Sequence, residues 1–283
     1  MKPLKGYIKI IRPTNCIMMG IGIISGYIIA SGSISFSVEL LAGIIVAAAF
    51  TAFANVTNDI IDYEIDKINQ PHRPLPSGEM SRKQATYYSI FLLILGFFAS
   101  VFTKNIWFMI IPPIVAIVTV LYNVYLKKYG FVGNVVVSFL VALSLVGGSL
   151  IAVKYITSYT VIFSSMAFFA NLGREVHKGI VDAEGDKTKG IRTIAITKGE
   201  RYAKAVAIFF YMLAVILSTL PAIQGLTNGY YLVMAPIVAL LFLSSSLNLW
   251  KTSDKNVLRK EKDKVRVWML LAMLTFIVGG LRL

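Results

Sequence analysis

Polar and apolar positions along this chain separate into blocks instead of alternating. Apolar runs of roughly 17–23 residues recur, each long enough to cross the ~30 Å hydrocarbon core of a bilayer as a helix. About nine are present, at 16–34, 39–61, 84–103, 106–126, 133–153, 157–177, 204–223, 229–249 and 266–282. In lipid a backbone must satisfy its own hydrogen bonds, so such runs predict helices. The expected fold is all-α: a polytopic membrane protein with about nine transmembrane helices, a single domain over residues 1–283. No low-complexity tract or Pro/Ser-rich linker breaks the pattern. Composition agrees, since 57% of the residues are hydrophobic, against about 45–50% apolar in soluble domains.

Charge adds a direction. The formal net charge of +14, from 28 Lys and Arg against 14 Asp and Glu, invites a nucleic-acid reading. The distribution points to topology instead. Following the nine runs, 25 of the 28 basic residues fall on one side, and only Lys104, Lys154 and Arg282 on the other. Among the acids only Glu39 falls outside. By the positive-inside rule the N-terminus and the charged loops are cytoplasmic and the C-terminus is outside. A multi-pass cell-membrane protein is expected, with membrane lipid around it and no nucleic-acid partner. The first run is too long for a secretory signal, and further runs follow it, so it reads as a mature helix. Cys16 is the one cysteine and makes no internal disulfide. Asn55-Val-Thr57 fits a glycosylation sequon but lies inside a span, a chance match.

Two acidic clusters end the second and sixth runs. The first is Asn55-Val-Thr-Asn58-Asp59-Ile-Ile-Asp62-Tyr-Glu64-Ile-Asp66. At roughly 100° per residue from Asn58, Asp62 lies at about 40°, Asn55 at about 60°, Asp66 at about 80° and Asp59 at about 100°, while Glu64 points away at about 240°. The second is Glu175-Val-His-Lys178-Gly-Ile-Val-Asp182-Ala-Glu184-Gly-Asp186. From Asp182, Asp186 lies at about 40°, Glu175 at about 20° and Lys178 at about −40°, with Glu184 away at about 200°. Like carboxylates on one face repel, and near lipid their desolvation is costly. Such stripes call for a counter-charge. Oxygen ligands without Cys or clustered His suit Mg²⁺, which takes one or two carboxylates plus substrate phosphate oxygens. Asn58, Asp62, Asp66, Asp182 and Asp186 are the candidate metal ligands, in two stripes expected to share a metal pocket at the inner leaflet. Glu64 and Glu184 read as solvated helix-end acids, and neither His72 nor His177 as a metal ligand.

The segments between carry candidate anion ligands. Pro71, Pro74 and Pro76 predict a stiff, extended loop after the first cluster, which presents Arg73 for bidentate phosphate contact. Lys127 ends the fourth run as a point charge within reach of a diphosphate. Tyr122 and Tyr125 are either interfacial belt aromatics or pocket lining. Lys187, Lys189, Arg192 and Thr193 follow the second cluster as further anion contacts, and Arg12 precedes the first span. Gly133-Asn134 caps the fifth run or lets it pack closely.

In order, Asn58-Asp59-x-x-Asp62-x-x-x-Asp66, Arg73-Pro74-Leu75-Pro76-Ser77-Gly78, Tyr122…Leu126-Lys127, Gly133-Asn134 and Asp182-x-x-x-Asp186 resemble the signatures of the UbiA superfamily of intramembrane prenyltransferases, over essentially the whole chain. The resemblance implies a ring of helices around a central cavity open sideways to lipid. It implies Mg²⁺ on the five ligands above, an isoprenoid diphosphate donor and a lipophilic acceptor. Asp62, Asp66, Asp182, Asp186, Arg73 and Lys127 are then catalytic, and Arg73, Lys127, Tyr122, Lys178, Lys189, Arg192, Asn55 and Arg12 bind substrate. The run Arg174-Glu175-x-x-Lys178-Gly-Ile-x-Asp182-x-Glu184-Gly185-Asp186 looks like the archaeal branch. That branch implies geranylgeranyl transfer to geranylgeranylglyceryl phosphate in ether-lipid synthesis, with aromatic acceptors, as in quinone pathways, the alternative.

Two other classes compete. CDP-alcohol phosphotransferases need Asp-Gly-x-x-Ala-Arg before their second acidic pair, which this sequence lacks. A cation-coupled transporter would place ionisable residues near the midplane, often at broken helices, whereas these sit at the cytoplasmic ends.

Overall fold

A computed structural model describes residues 2–188 and 190–282 of the chain. Within them every regular element is a helix. The chain gathers into two compact units, residues 1–23 with 36–126, and residues 24–35 with 127–283.

The first unit contains α1 (Lys2–Ile10), the first part of α2 (Pro13–Ser31), α3 (Val38–Ile61), α4 (Tyr63–Asn69), α5 (Arg82–Val101) and α6 (Ile106–Val124). Each long helix starts on a residue suited to the task. Ser37 accepts the Leu40 N–H on its hydroxyl, and Ser81 and Gln84 form a reciprocal capping box. α3 packs against both α5 and α6. Ile10, Phe53, Val56, Leu75, Met80, Ala85 and Leu92 form its buried apolar cluster, so the polar loop after α4 is pinned to the helices through Leu75 and Met80. Ile90, Ile94 and Phe98 on α5 and Ile106, Ile110, Ile114 and Ile117 on α6 remain exposed in rows three or four residues apart. Apolar stripes of that extent suit hydrocarbon, not water.

After a single 3-10 turn at Leu126–Tyr129, the second unit contains α7 (Phe131–Val153), α8 (Ser158–Val181), α9 (Ala183–Thr188), α10 (Ile194–Lys198), α11 (Glu200–Leu217), α12 (Leu220–Ile223), α13 (Gly229–Lys251) and α14 (Lys255–Gly280). α8 packs on α7, α11 and α14, which makes it the unit's central helix. His177 on α8 is fully buried and is held through Nε2 by the Leu258 carbonyl at 3.0 Å. That contact ties α8 to α14 and gives this imidazole a structural task.

Seven helices are long and apolar enough to cross a membrane by length and composition: α2, α3, α5, α6, α7, the stretch Glu200–Ile223, and α13. The expected count of nine is thus not confirmed. α8 and α14 are long enough, with 24 and 26 residues, but too charged. α8 ends in Arg174, Glu175 and Lys178, and the first half of α14 carries Arg259, Lys260, Lys262, Lys264 and Arg266 among its acids. The apolar run at 266–282 is the second half of a helix that begins in polar surroundings.

Candidate functional site

The first acidic cluster does not lie on one uninterrupted helix. α3 ends at Asp62, whose φ of −80° and ψ of 1° fall in the sparsely occupied bridge region between helix and strand. The hydrogen-bond ladder nevertheless carries through, since the Asp62 N–H donates to the Asn58 carbonyl at 2.9 Å and the Asp66 N–H to the Asp62 carbonyl at 2.8 Å. The break therefore bends the stripe without dispersing it. Asn55, Asp59, Asp62 and Asp66 are all buried, and Glu64 is exposed and paired with Lys67 at 2.9 Å.

Two of these buried carboxylates, Asp59 and Asp66, meet two arginines. Asp59, 3% exposed, accepts from Arg12 at 2.5 Å and from Arg73 at 3.3 Å on the same oxygen. Arg73 also donates to Asp66, 1% exposed, at 2.5 Å. Arg12 extends further, to Asn55 Oδ1 and Asn58 Oδ1 at 3.4 Å each. Asn58 in turn donates to Asn123 Oδ1 at 3.0 Å, which fixes its amide and turns its own oxygen toward the arginine. Arg12 adopts φ of +52° just before Pro13 opens α2. Left-handed backbone at a non-glycine residue carries strain; here three side-chain oxygen contacts, to Asn55, Asn58 and Asp59, maintain it.

The proline-rich loop differs from the extended strap the sequence predicted. It is a succession of turns: Arg73 N–H to Gln70, Ser77 N–H to Arg73, Gly78 N–H to Leu75, and Met80 N–H to Pro74. Proline presets φ for turn positions as readily as for extended chain, which explains the difference. Lys9 on α1 clamps the loop through the His72 carbonyl at 2.6 Å and Glu79 at 3.2 Å. Within these turns Arg73 is held by its bonds to Asp59 and Asp66.

The second unit repeats the backbone pattern. α8 ends at Asp182, with φ of −95° and ψ of 4°. Asp182 N–H donates to Lys178 and Asp186 N–H to Asp182, at 2.9 Å each. Glu175 is buried and bonded by Arg174 at 2.8 Å and Lys178 at 3.3 Å. Glu184 is exposed and paired with Lys255, whose hydrogen bond holds its carboxyl below the usual carboxylate range. Burial pushes the Lys262 ammonium of α14 below the usual lysine range, against the pull of Asp182.

The remaining candidates divide. Lys127 is half-buried in the 3-10 turn, and Tyr122 is half-buried in the last turn of α6. Arg192 has an exposed side chain, and its backbone N–H donates to the Lys128 carbonyl at 3.0 Å. Thr193 is buried and N-caps α10, its hydroxyl oxygen accepting the Ile196 N–H. Lys189 lies outside the described residues. Gly130 joins the turn to α7 with φ of +54°, and a Cβ there would strike the Arg192 carbonyl. Gly130→Ala is expected to destabilise the protein by more than about 1 kcal/mol, from strain and clash together. A thermal melt in detergent that matches wild type would contradict this.

Sequence reasoning passed over three residues. Asp59 lay in the stripe but received no role, although it joins both arginines. Asn123, next to the noted Tyr122, is a buried amide whose Nδ2 has no hydrogen-bond partner. Lys262 was one of seven topogenic cations in a basic segment, and nothing local set it apart.

The donors of Asn58, Asp62, Asp66, Asp182 and Asp186 are all oxygens, which suits Mg²⁺. Among the described residues no three His, Cys, Asp or Glu side chains gather tightly enough to hold an ion alone.

Comparison with known proteins gives the family. The UbiA prenyltransferase family matches residues 19–277. The digeranylgeranylglyceryl phosphate synthase of Methanocaldococcus jannaschii is 37% identical over 287 residues, 100% of this chain and 99% of that one. Its counterpart in Thermococcus kodakarensis is 35% identical over 277 residues, 98% of each. Among solved structures, one of digeranylgeranylglyceryl phosphate synthase in membranes superposes with a TM-score of 0.79 at 36% identity, covering 100% of both chains. A UbiA homolog from Archaeoglobus fulgidus bound to GPP and Mg²⁺ shares the fold, with a TM-score of 0.72 at 17% identity over 96% of this chain and 99% of that one.

Proposed function

The chain belongs to the UbiA prenyltransferase family, and from that membership we propose that it transfers a geranylgeranyl group from its diphosphate to geranylgeranylglyceryl phosphate in archaeal ether-lipid synthesis. It is a multi-pass membrane prenyltransferase. The observation that carries the reading is the repeated helix end: in each unit a long helix stops on an aspartate in the bridge region, and a second aspartate four residues on bonds back to it. Full-length similarity to digeranylgeranylglyceryl phosphate synthases supports the choice of acceptor. The charge distribution supports a cytoplasmic N-terminus and reaction centre, with the C-terminus outside.

Asn58, Asp62 and Asp66, and likewise Asp182 and Asp186, would hold Mg²⁺. Bound there, the ion supplies Lewis-acid stabilisation of charge growing on the donor diphosphate. Arg73 and Lys127 add positive charge to the same oxygens. The C1–oxygen bond of the donor breaks and pyrophosphate leaves with the electron pair. The acceptor hydroxyl oxygen bonds C1 and loses its proton. Asp59 acts on none of these atoms; it positions Arg12 and Arg73.

Reconstitution in liposomes tests the class of activity. Product should form with Mg²⁺, vanish in EDTA and return on adding Mg²⁺ in excess. Cation flux without product would move the protein to the transporters.

A further inference from the structure

α6 ends in a buried amide. Phe108, Pro112, Thr119 and Asn123 form the buried stripe of this helix, at steps of four and seven residues, and α6 packs against α3 and α5. Asparagine at such a position is unfavourable, because a buried amide needs hydrogen-bond partners that an apolar side chain does not. Asn123 is only 7% exposed. Its Oδ1 accepts from Asn58 Nδ2 on α3 at 3.0 Å, while its own Nδ2 is buried without a partner. The chain thus tolerates one unmet buried donor in order to offer Asn58 an acceptor. Asn55, one turn earlier on α3, is held in the same way. Its Nδ2 donates to the Ile11 carbonyl at 2.8 Å, and its Oδ1 faces Arg12 at 3.4 Å.

We propose that Asn123 is a positioning residue for Asn58, fixing which end of the Asn58 amide is offered to Mg²⁺. This rests on the reading above that Asn58 ligates the ion. Of the two ends of a carboxamide only the oxygen ligates Mg²⁺. The two ends have nearly the same shape, so neighbouring hydrogen bonds decide which way the group turns. Asn123 holds the nitrogen and leaves the oxygen free to ligate. That oxygen meets Arg12 only at 3.4 Å, outside the usual N–H···O range of about 2.7–3.2 Å, so it retains capacity for an ion. Asn58 is half-buried and Asn123 buried, which puts the anchor on the packed side of the ligand. Partners that orient a metal ligand typically carry a factor of about 10–100 in metal affinity.

The experiment titrates Mg²⁺ into the full-length protein in detergent with inorganic pyrophosphate and follows the rise in Tm. It compares wild type, Asn58→Ala, Asn123→Leu, Asn58→Asp and the double variant Asn58→Asp with Asn123→Leu. Leucine is close to asparagine in shape and lacks the acceptor. The half-saturating Mg²⁺ concentration should rise about tenfold or more in Asn123→Leu, in the same direction as in Asn58→Ala. A carboxylate presents an oxygen whichever way it turns. Asn123→Leu should therefore shift half-saturation by less than about twofold when Asn58 is already Asp, the scatter expected of uncoupled changes. Asn123→Ala, which removes the same acceptor without adding apolar volume, carries the same expectation should Asn123→Leu not fold. In turnover, the Mg²⁺ requirement should move with the melt. A role confined to packing would lower the Mg²⁺-free Tm and leave half-saturation where it was, which overturns the proposal. An equal shift in the Asn58→Asp background overturns it too, since Asn123 would then act by a route other than Asn58. If Asn58→Ala itself leaves half-saturation unchanged, the assignment of Asn58 as a ligand fails. A shift in Asn58→Ala without one in Asn123→Leu defeats the positioning role alone.

Discussion

Asp62→Ala and Asp182→Ala are each expected to lower prenyl transfer about 10³-fold or more while leaving a folded membrane protein. Removing one preorganised group that stabilises transition-state charge typically removes a factor of about 10²–10³, and a lost metal ligand adds to it. The fold should survive because both residues hold the helix end through backbone groups. The Asp62 N–H reaches Asn58 and the Asp182 N–H reaches Lys178, and alanine keeps both bonds. Steady-state turnover, with size-exclusion profiles for integrity, measures the effect. Near-normal turnover in both variants would remove the proposed chemistry from these helix ends.

Arg73→Ala should have the largest effect on stability. Asp59 and Asp66 are almost wholly buried, and Arg73 reaches both. Removing one partner of a buried pair costs about 3–5 kcal/mol. Arg73 is itself about a quarter exposed, and Arg12 still serves Asp59, so roughly 2–3 kcal/mol is expected after solvent screening. In a detergent melt that corresponds to a Tm lower by roughly 4–10 °C. Arg73→Lys should recover only part, because one ammonium cannot span two carboxylates as a guanidinium does. Added Asp66→Asn should restore stability to Arg73→Ala without restoring turnover. An Arg73→Ala melt equal to wild type would mean that these carboxylates need no counter-charge.

Residues whose role follows from helical phase were readable in the sequence. Angular position alone separated the buried Asp59, Asp62 and Asp66 from the exposed Glu64, and Glu175 from the exposed Glu184. Phase survived the breaks at Asp62 and Asp182 because the hydrogen-bond ladder continues through them. The breaks themselves were not readable, since neither segment contains proline or glycine at the bend to announce it. The turn structure of the Pro71–Gly78 loop depends on Leu75 and Met80 entering an apolar cluster that sequence spacing does not reveal. Asp59 required knowing that Arg12 and Arg73 arrive from opposite ends of its stretch of chain. Lys262 required the packing of α14 on α8, more than 80 residues away. The count of nine spans is not confirmed: the apolar runs at 157–177 and 266–282 fall within α8 and α14, whose remaining residues are charged, and seven other helices are long and apolar enough to cross a membrane.

Product mass tests the central claim most directly. Purified protein is incubated with geranylgeranyl diphosphate, Mg²⁺ and an acceptor panel that includes geranylgeranylglyceryl phosphate and aromatic quinone precursors. The expected result is a single new species, the glyceryl phosphate bearing two geranylgeranyl chains, formed only with Mg²⁺. A prenylated aromatic as sole product, or no prenylated product from any acceptor, would contradict it.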